Sequence, residues 1–261
     1  MRMFCLRFIV YALLVAGLSG CMVAVRQQQS ARQQADVHYK LGLSQLESNN
    51  PTRALRELLI AVRNGPNDSA IHAALAEAYQ LKKAYPQAER HYLQAIKLSK
   101  GDPRYENNLA SLYLDMQQWD KAISYFDKAG SNLLFLNSHV ALTGKSYAYF
   151  KKGDYPAALR QIEDVIAIAP RYARAYYIQS EVYQALGQED KARQSLNRAV
   201  AVAPDFIPAI YQLGLMLQQD KQLTAAREKF KQVVELAPDS EWGLKAAALL
   251  RALPEAAADK N

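Results

Sequence analysis

Cysteine is almost missing: the 261 residues hold two, Cys5 and Cys21. That is too few for a disulfide framework or a multi-cysteine zinc site. Eleven glycines and ten prolines exclude collagen-like and Pro-rich low-complexity chains. Charge of one sign is not strong, with 32 Lys+Arg against 25 Asp+Glu and a net charge of +7. No dense basic run offers a nucleic-acid footprint, so no nucleic-acid partner is expected. The apolar run Phe8 to Leu18 makes about 16 Å of helix, too short for the ~30 Å hydrocarbon core. His38, His72, His91 and His139 are scattered without metal-ligand spacing, and no GxSxG, Walker or HExxH pattern occurs. Glu163-Asp164 and Glu189-Asp190 read as solvated helix residues. The chain is therefore expected not to be an enzyme, with no catalytic residue, metal, cofactor or small-molecule substrate. What is present is apolar surface: half the residues are hydrophobic and 22% are charged, enough to build a core.

Both cysteines lie in the first 21 residues, MRMFCLRFIVYALLVAGLSGC. Arg2 and Arg7 precede the apolar run, and Ser19 and Gly20 follow it. This is the order of a signal peptide over residues 1–20. Leu18-Ser19-Gly20-Cys21 resembles the lipobox of bacterial lipoproteins; the competing reading is an ordinary signal peptide with a chance cysteine. The resemblance implies that Cys5 is discarded and that Cys21 carries a covalent lipid. By resemblance to enteric lipoproteins, in which Asp after the cysteine retains the protein at the inner membrane, Met22 after Cys21 implies the outer membrane, periplasmic face. Removal of Arg2 and Arg7 would lower the net charge from +7 to +5. Residues 22–34 are polar and Gln-rich, so 21–34 is expected to be the lipidated cysteine and a solvated tether.

The remainder is self-similar. Ala54, Ala88, Ala122, Ala158, Ala192 and Ala226 recur at 34, 34, 36, 34 and 34 residues. Ala61, Ala95, Ala129, Val165, Ala199 and Val233 keep the same spacing. So do Tyr79, Tyr113, Tyr149 and Tyr183, and the series Leu58, Tyr92, Phe126, Ile162, Leu196 and Phe230. Each unit contains two stretches of good helix formers with apolar residues three and four apart, which reads as two amphipathic helices. Gly153 and Gly187 fall in the turn between them, where positive φ is cheap for glycine. Pro51, Pro86 and Pro156 fall near the start of the second helix, where a missing N–H is harmless. Pro66, Pro170, Pro204 and Pro238 close four units.

This 34-residue helix–turn–helix pattern resembles the tetratricopeptide repeat (TPR). The resemblance implies an all-α, right-handed superhelix, an α-solenoid of six repeats starting near residues 35, 69, 103, 139, 173 and 207. A capping helix is expected over 241–253, closing a repeat region of 35–253, and a loose tail over 254–261. The third-to-fourth spacing is two residues longer, at Gly130 to His139, and no proline closes the third unit. Two readings stay open there: a loop insertion or longer helix, and a break that presents Leu133, Leu134, Phe135 and Leu136 to a partner.

In a TPR array the first helices line the concave face. In this register that face holds Tyr39, Leu43 and Leu46; Ala73, Glu77 and Gln80; Asn107, Ser111 and Leu114. Further along it holds Thr143, Tyr147 and Phe150; Tyr177, Glu181 and Gln184; Tyr211, Leu215 and Gln218. Tyrosines, leucines and amides suit a protein surface. The Lys and Asn clamp of chaperone-binding TPRs is absent, since those places hold Tyr39, Leu43, Ala73 and Glu77.

Six TPR units behind a lipobox resemble the type IV pilus biogenesis and secretin pilotin family (PilF/PilW/Tgl type). The carrying stretches are Asp36-Val37-His38-Tyr39-Lys40-Leu41-Gly42, Ala74-Leu75-Ala76-Glu77-Ala78-Tyr79 and Asn107-Asn108-Leu109-Ala110-Ser111-Leu112-Tyr113. The long junction running into Ala141-Leu142-Thr143-Gly144-Lys145-Ser146-Tyr147 belongs with them. The resemblance implies a lipid-anchored scaffold that binds secretin subunits and promotes their outer-membrane localisation and multimerisation. The alternative is an envelope TPR lipoprotein serving another machine: a tight-adherence pilus, a murein hydrolase or protease, or polysaccharide export.

Overall fold

The computed structural model describes residues 26–254. The signal segment, Cys21 and the tail from 255 lie outside the described residues. Every regular element among the described residues is helical, as the repeat pattern implies. The described residues divide into two compact units, one ending at Leu112 and one beginning at Tyr113.

The first unit contains α1 (residues 26–47), α2 (Pro51–Asn64), α3 (Ser69–Leu81), α4 (Tyr85–Ser99) and most of α5 (Pro103–Asp115). Residues 26–34, expected to be part of a solvated tether, are instead the first turns of α1. The stretch Arg26 to Gln34 has neither Gly nor Pro, and Gln, Arg and Ala propagate a helix once Ala35 and Tyr39 have packed. The second unit contains α6 (Trp119–Gly130), α7 (Ser138–Lys152), α8 (Tyr155–Ile168), α9 (Ala173–Ala185) and α10 (Glu189–Val202). It ends with α11 (Ile207–Gln219), α12 (Leu223–Leu236) and α13 (Glu241–Ala252).

The two small-residue series are the seams. Ala54, Ala88, Ala122, Ala158, Ala192 and Ala226 are all fully buried, and so is every member of the series from Ala61 to Val233. Small side chains let the paired backbones approach closely, and Leu58, Tyr92, Phe126, Ile162, Leu196 and Phe230 fill the space beside them.

The turn between first and second helices is built the same way six times. Asn49, Lys83, Gln117, Gly153, Gly187 and Lys221 all have positive φ, between 54° and 88°. In each case the next amide reaches back five residues, as in Ala84 N to Tyr79 O at 2.9 Å and Gln188 N to Tyr183 O at 2.9 Å. This is the Schellman closure of a helix C-terminus. Pro51, Pro86 and Pro156 then occupy the first turn of α2, α4 and α8.

The longer third-to-fourth junction is a turn-rich loop over residues 131–137. Asn132 shapes it: its side-chain oxygen accepts from Leu134 N at 2.9 Å, and its carbonyl accepts from Phe135 N at 3.0 Å. The extra residues leave the helix packing intact. A Cβ on Gly144 of α7 would lie 2.5 Å from the Phe126 ring of α6, so these helices are in close contact. The insertion reading accounts for the spacing, and the leucines are nevertheless presented. At the far end α13 covers Phe230 and Val233 with Ala246, Trp242 and Leu249. Its N-terminus is capped by Ser240, whose hydroxyl accepts from Gly243 N at 3.0 Å.

Candidate protein-binding surfaces

In the first unit, Tyr39, Leu43 and Leu46 lie half-buried on α1 and pack in part against the core around Leu58 and Leu75. Ala73 is buried and is a packing residue, while Glu77 of α3 is exposed. Burial of the surroundings still pushes the Glu77 carboxyl upward. Burial also raises Tyr39, followed by the charges of Tyr105 and Asp68. Asn107 and Ser111 are half-buried on α5, and the Asn107 Oδ1 atom is buried with no hydrogen-bond partner. Leu114, beyond the division within α5, is half-buried in the second unit.

Sequence reasoning missed a cleft of about 680 Å³ in the first unit, between the start of α1 and the α2–α3 loop. Arg32, Asp36, Tyr39, Pro66, Asp68 and Ile71 are among its walls. It exists because α1 begins early, which a tether reading hides. A histidine pair was also missed. His72 and His91 look unrelated in sequence, but α3 and α4 bring their Nδ1 atoms to 2.9 Å. His72 Nε2 donates to the Pro66 carbonyl at 2.9 Å, so in the neutral ring its Nδ1 accepts from His91. Burial, then His72 and Arg90, push His91 down to about 4. The His–His pair forms no metal cluster: among the described residues no group of three His, Cys, Asp or Glu is placed to hold an ion.

In the second unit, Thr143 does not belong to an exposed face. It is 2% exposed and its hydroxyl donates to the His139 carbonyl at 2.7 Å. One position of register turns it into the helix seam. Tyr147 and Phe150 of α7, Tyr177 and Glu181 of α9, and Tyr211 and Leu215 of α11 are half-buried. The Tyr147 and Phe150 rings lie 6.0 Å apart. Tyr177 meets Phe206 edge-on at 5.8 Å, and Tyr211 meets Trp242 edge-on at 5.1 Å. Gln212 bonds Gln184 at 3.2 Å, joining α11 to α9.

Leu133, Leu134 and Leu136 are the most exposed apolar side chains described, at 101, 90 and 94%. Phe135 is half-buried between them. Water is in contact with nearly the whole of three leucines, each of which gains roughly 1.5–3 kcal/mol when fully buried.

The sequence profile of the tetratricopeptide repeat matches residues 39–103, 107–132, 149–214 and 208–240. With the helical hairpins and their common turn, this places the chain in the tetratricopeptide-repeat family, whose members are binding scaffolds. By sequence it is 27% identical over 128 residues to the type IV pilus assembly protein PilF of Pseudomonas aeruginosa, covering 47% of this chain and 51% of PilF. The chain spans about half to two thirds of the length of the curated relatives it matches. By structure it resembles P. aeruginosa PilF with a TM-score of 0.64 and 16% identity, over 84% of this chain and 99% of the solved one. It also resembles PilW, described as a widely conserved type IV pilus biogenesis factor, with a TM-score of 0.67 and 18% identity over 82% and 98%. Yeast Tom70 scores 0.68 at 18% identity, over 84% of this chain and 46% of Tom70. The structural likeness therefore speaks for the fold and not for one partner.

Proposed function

We propose that this protein is an outer-membrane lipoprotein, held at the periplasmic face by a lipid on Cys21, that binds subunits of the type IV pilus secretin. Its role is to promote secretin localisation and multimerisation and so pilus assembly. The observation that carries this reading is the sequence likeness to the P. aeruginosa pilus assembly protein PilF. The lipobox-like Leu18-Ser19-Gly20-Cys21 supports the anchor. No bond is made or broken. Confinement to a membrane raises the effective concentration of secretin subunits around the repeat array. Three surfaces are offered to them: the first-helix positions of the first unit with Tyr39, Leu43, Glu77 and Asn107, those of the second unit with Leu114, Tyr147, Phe150, Tyr177, Glu181, Tyr211 and Leu215, and the loop with Leu133, Leu134, Phe135 and Leu136.

The test is deletion of the gene followed by electrophoresis of unboiled envelopes. Secretin multimers should fall away and monomer should accumulate. A full set of multimers in the deletion strain refutes the secretin role and moves these surfaces to the service of another envelope machine. Independently, Cys21→Ala should release the protein from membranes; a variant that stays bound refutes the anchor.

A further inference from the structure

The chain as a whole carries seven more cations than anions. The first-helix positions of the second unit do not share that excess. Among Tyr147, Phe150, Tyr177, Glu181, Gln184, Tyr211, Leu215 and Gln218, the single charged side chain is Glu181. Its carboxyl is half-buried on α9, one turn after Tyr177. Tyr147 of the neighbouring α7 packs with Tyr177 against one core around Ile162 and Ile178, and the Glu181 charge raises it. Burial pushes Glu181 upward, and it pushes Tyr177 to about 12, with the Glu181 charge adding to the shift. A half-buried carboxylate that has given up part of its water without closing an ion pair is poorly compensated.

Two cations of the chain lie near it. Arg174 is exposed and acts on Glu181, Tyr147 and Tyr177. Lys151 is exposed and acts on Glu181, and its ammonium stands 5.9 Å from the centre of the Tyr147 ring. Neither closes an ion pair on Glu181 among the described residues. The Tyr147 ring face thus already holds a lysine of the chain itself, loosely, on a flexible four-carbon stem.

We propose, resting on the reading above of the second unit's first-helix positions as a binding surface, that Tyr147, Tyr177 and Glu181 form a cradle for a basic side chain, arginine above lysine, of an extended partner segment. The incoming cation displaces Lys151 from the Tyr147 ring and completes the ion pair that Glu181 lacks. Arginine suits the place better because its planar guanidinium can stack on a phenol and bond a carboxylate with two N–H groups at once. Lys151 is then a competitor built into the site.

The test uses the detergent-solubilised full chain with ¹³C-labelled tyrosine rings. It is titrated with pools of blocked octapeptides carrying a fixed central Arg, Lys, norleucine or Glu and random residues elsewhere. The Arg pool should shift the Tyr147 and Tyr177 rings at the lowest concentration, then Lys, then norleucine, with Glu last. Glu181→Gln should weaken the Arg pool by about fivefold or more and leave the norleucine pool unchanged. Lys151→Ala should tighten the Arg pool by about threefold, because it removes a weak cation–π competitor. A merely structural Lys151 would give loss or no change instead. Equal shifts by the Arg and norleucine pools overturn this proposal while leaving the second unit's first-helix positions as a binding surface. No shift of any tyrosine at those positions by any pool overturns that reading as well. Should Glu181→Gln not fold, the sign of the Lys151→Ala effect decides.

Discussion

Six chain reversals share one geometry, and their residues divide into two kinds. Gly153 and Gly187 hold φ of 88° and 69°, while Lys83, Gln117 and Lys221 hold 57°, 58° and 61° without being glycine. The left-handed conformation costs a residue with a Cβ roughly 1–2 kcal/mol. Glycine escapes that term but enters folding from a freer unfolded chain, a penalty of about 0.4–1 kcal/mol. The difference leaves about 0.5–1 kcal/mol in favour of glycine at each such turn. Gly187→Ala isolates the backbone term, since nothing lies within 4 Å of the added Cβ. It should destabilise by that amount. Lys83→Gly, Gln117→Gly and Lys221→Gly should each stabilise, because all three side chains are exposed. The sites are far apart in sequence and each sits in its own turn, so the effects should add to about 1.5–3 kcal/mol. At ~2–4 °C per kcal/mol for a chain of this size, the triple variant should melt roughly 3–12 °C higher. Repeat arrays can unfold unit by unit, so melting by circular dichroism is paired with hydrogen exchange of the Ala84, Gln118 and Gln222 amides. A triple variant that melts lower, or a neutral Gly187→Ala, refutes the reasoning that backbone strain governs these turns.

Other consequences can be measured separately. His91 has a folded value near 4, below its ordinary value of 6.5, so the unfolded chain binds the extra proton between these limits. The stability from this group is therefore present above about 6.5 and lost as pH falls toward 4. His91→Gln should flatten that part of the pH profile in urea melts; an unchanged slope refutes the assignment. Gly144→Ala should cost about 1–3 kcal/mol, since its Cβ would press on the Phe126 ring; an unchanged urea midpoint refutes the close contact. Replacing Leu133, Leu134 and Leu136 by serine should move stability by no more than about 0.5 kcal/mol per site, because the side chains are exposed. On the proposed secretin role, the same variant should lose secretin in co-purification from envelopes, and full retention excludes the loop as a docking point. Asp68→Ala should cost about 1 kcal/mol by removing the cap on α3, where Asp68 accepts from Ala70 N at 2.8 Å. Thermal melting checks this, and no change refutes the cap.

Much of the architecture was readable because its causes are local. The Ala54 and Ala61 series mark seams: a helix that must approach another closely needs a small residue every hairpin. Pro51, Pro86 and Pro156 mark helix starts because a proline tolerates only that place. The turn at Gly153 and Gly187 was readable from glycine, but Lys83, Gln117 and Lys221 carry no such signal. They take the left-handed conformation because the packed hairpin imposes it.

The candidate surfaces were readable in part. The repeat register, read with the TPR resemblance, put Tyr147, Tyr177 and Glu181 on the first-helix face, yet it also put Thr143 there, which the packed structure buries. The run Leu133 to Leu136 was conspicuous as four adjacent apolar residues, but its exposure depends on the Asn132 turn that lifts it off α6 and α7. The early start of α1 was hidden, since a Gln-rich stretch serves equally as a coil and as a helix whose fate depends on a neighbour.

Composition and period alone settle the repeat, the helical hairpin and the buried series. They do so because each depends on residues three, four or 34 apart along one chain. The meeting of His72 with His91, the burial of Thr143, the compensation of Glu181 and the exposure of the leucines belong to tertiary structure. Each is set by which side chain of one helix stands opposite which side chain of the next, and that pairing follows from the packing of the hairpins, not from their period.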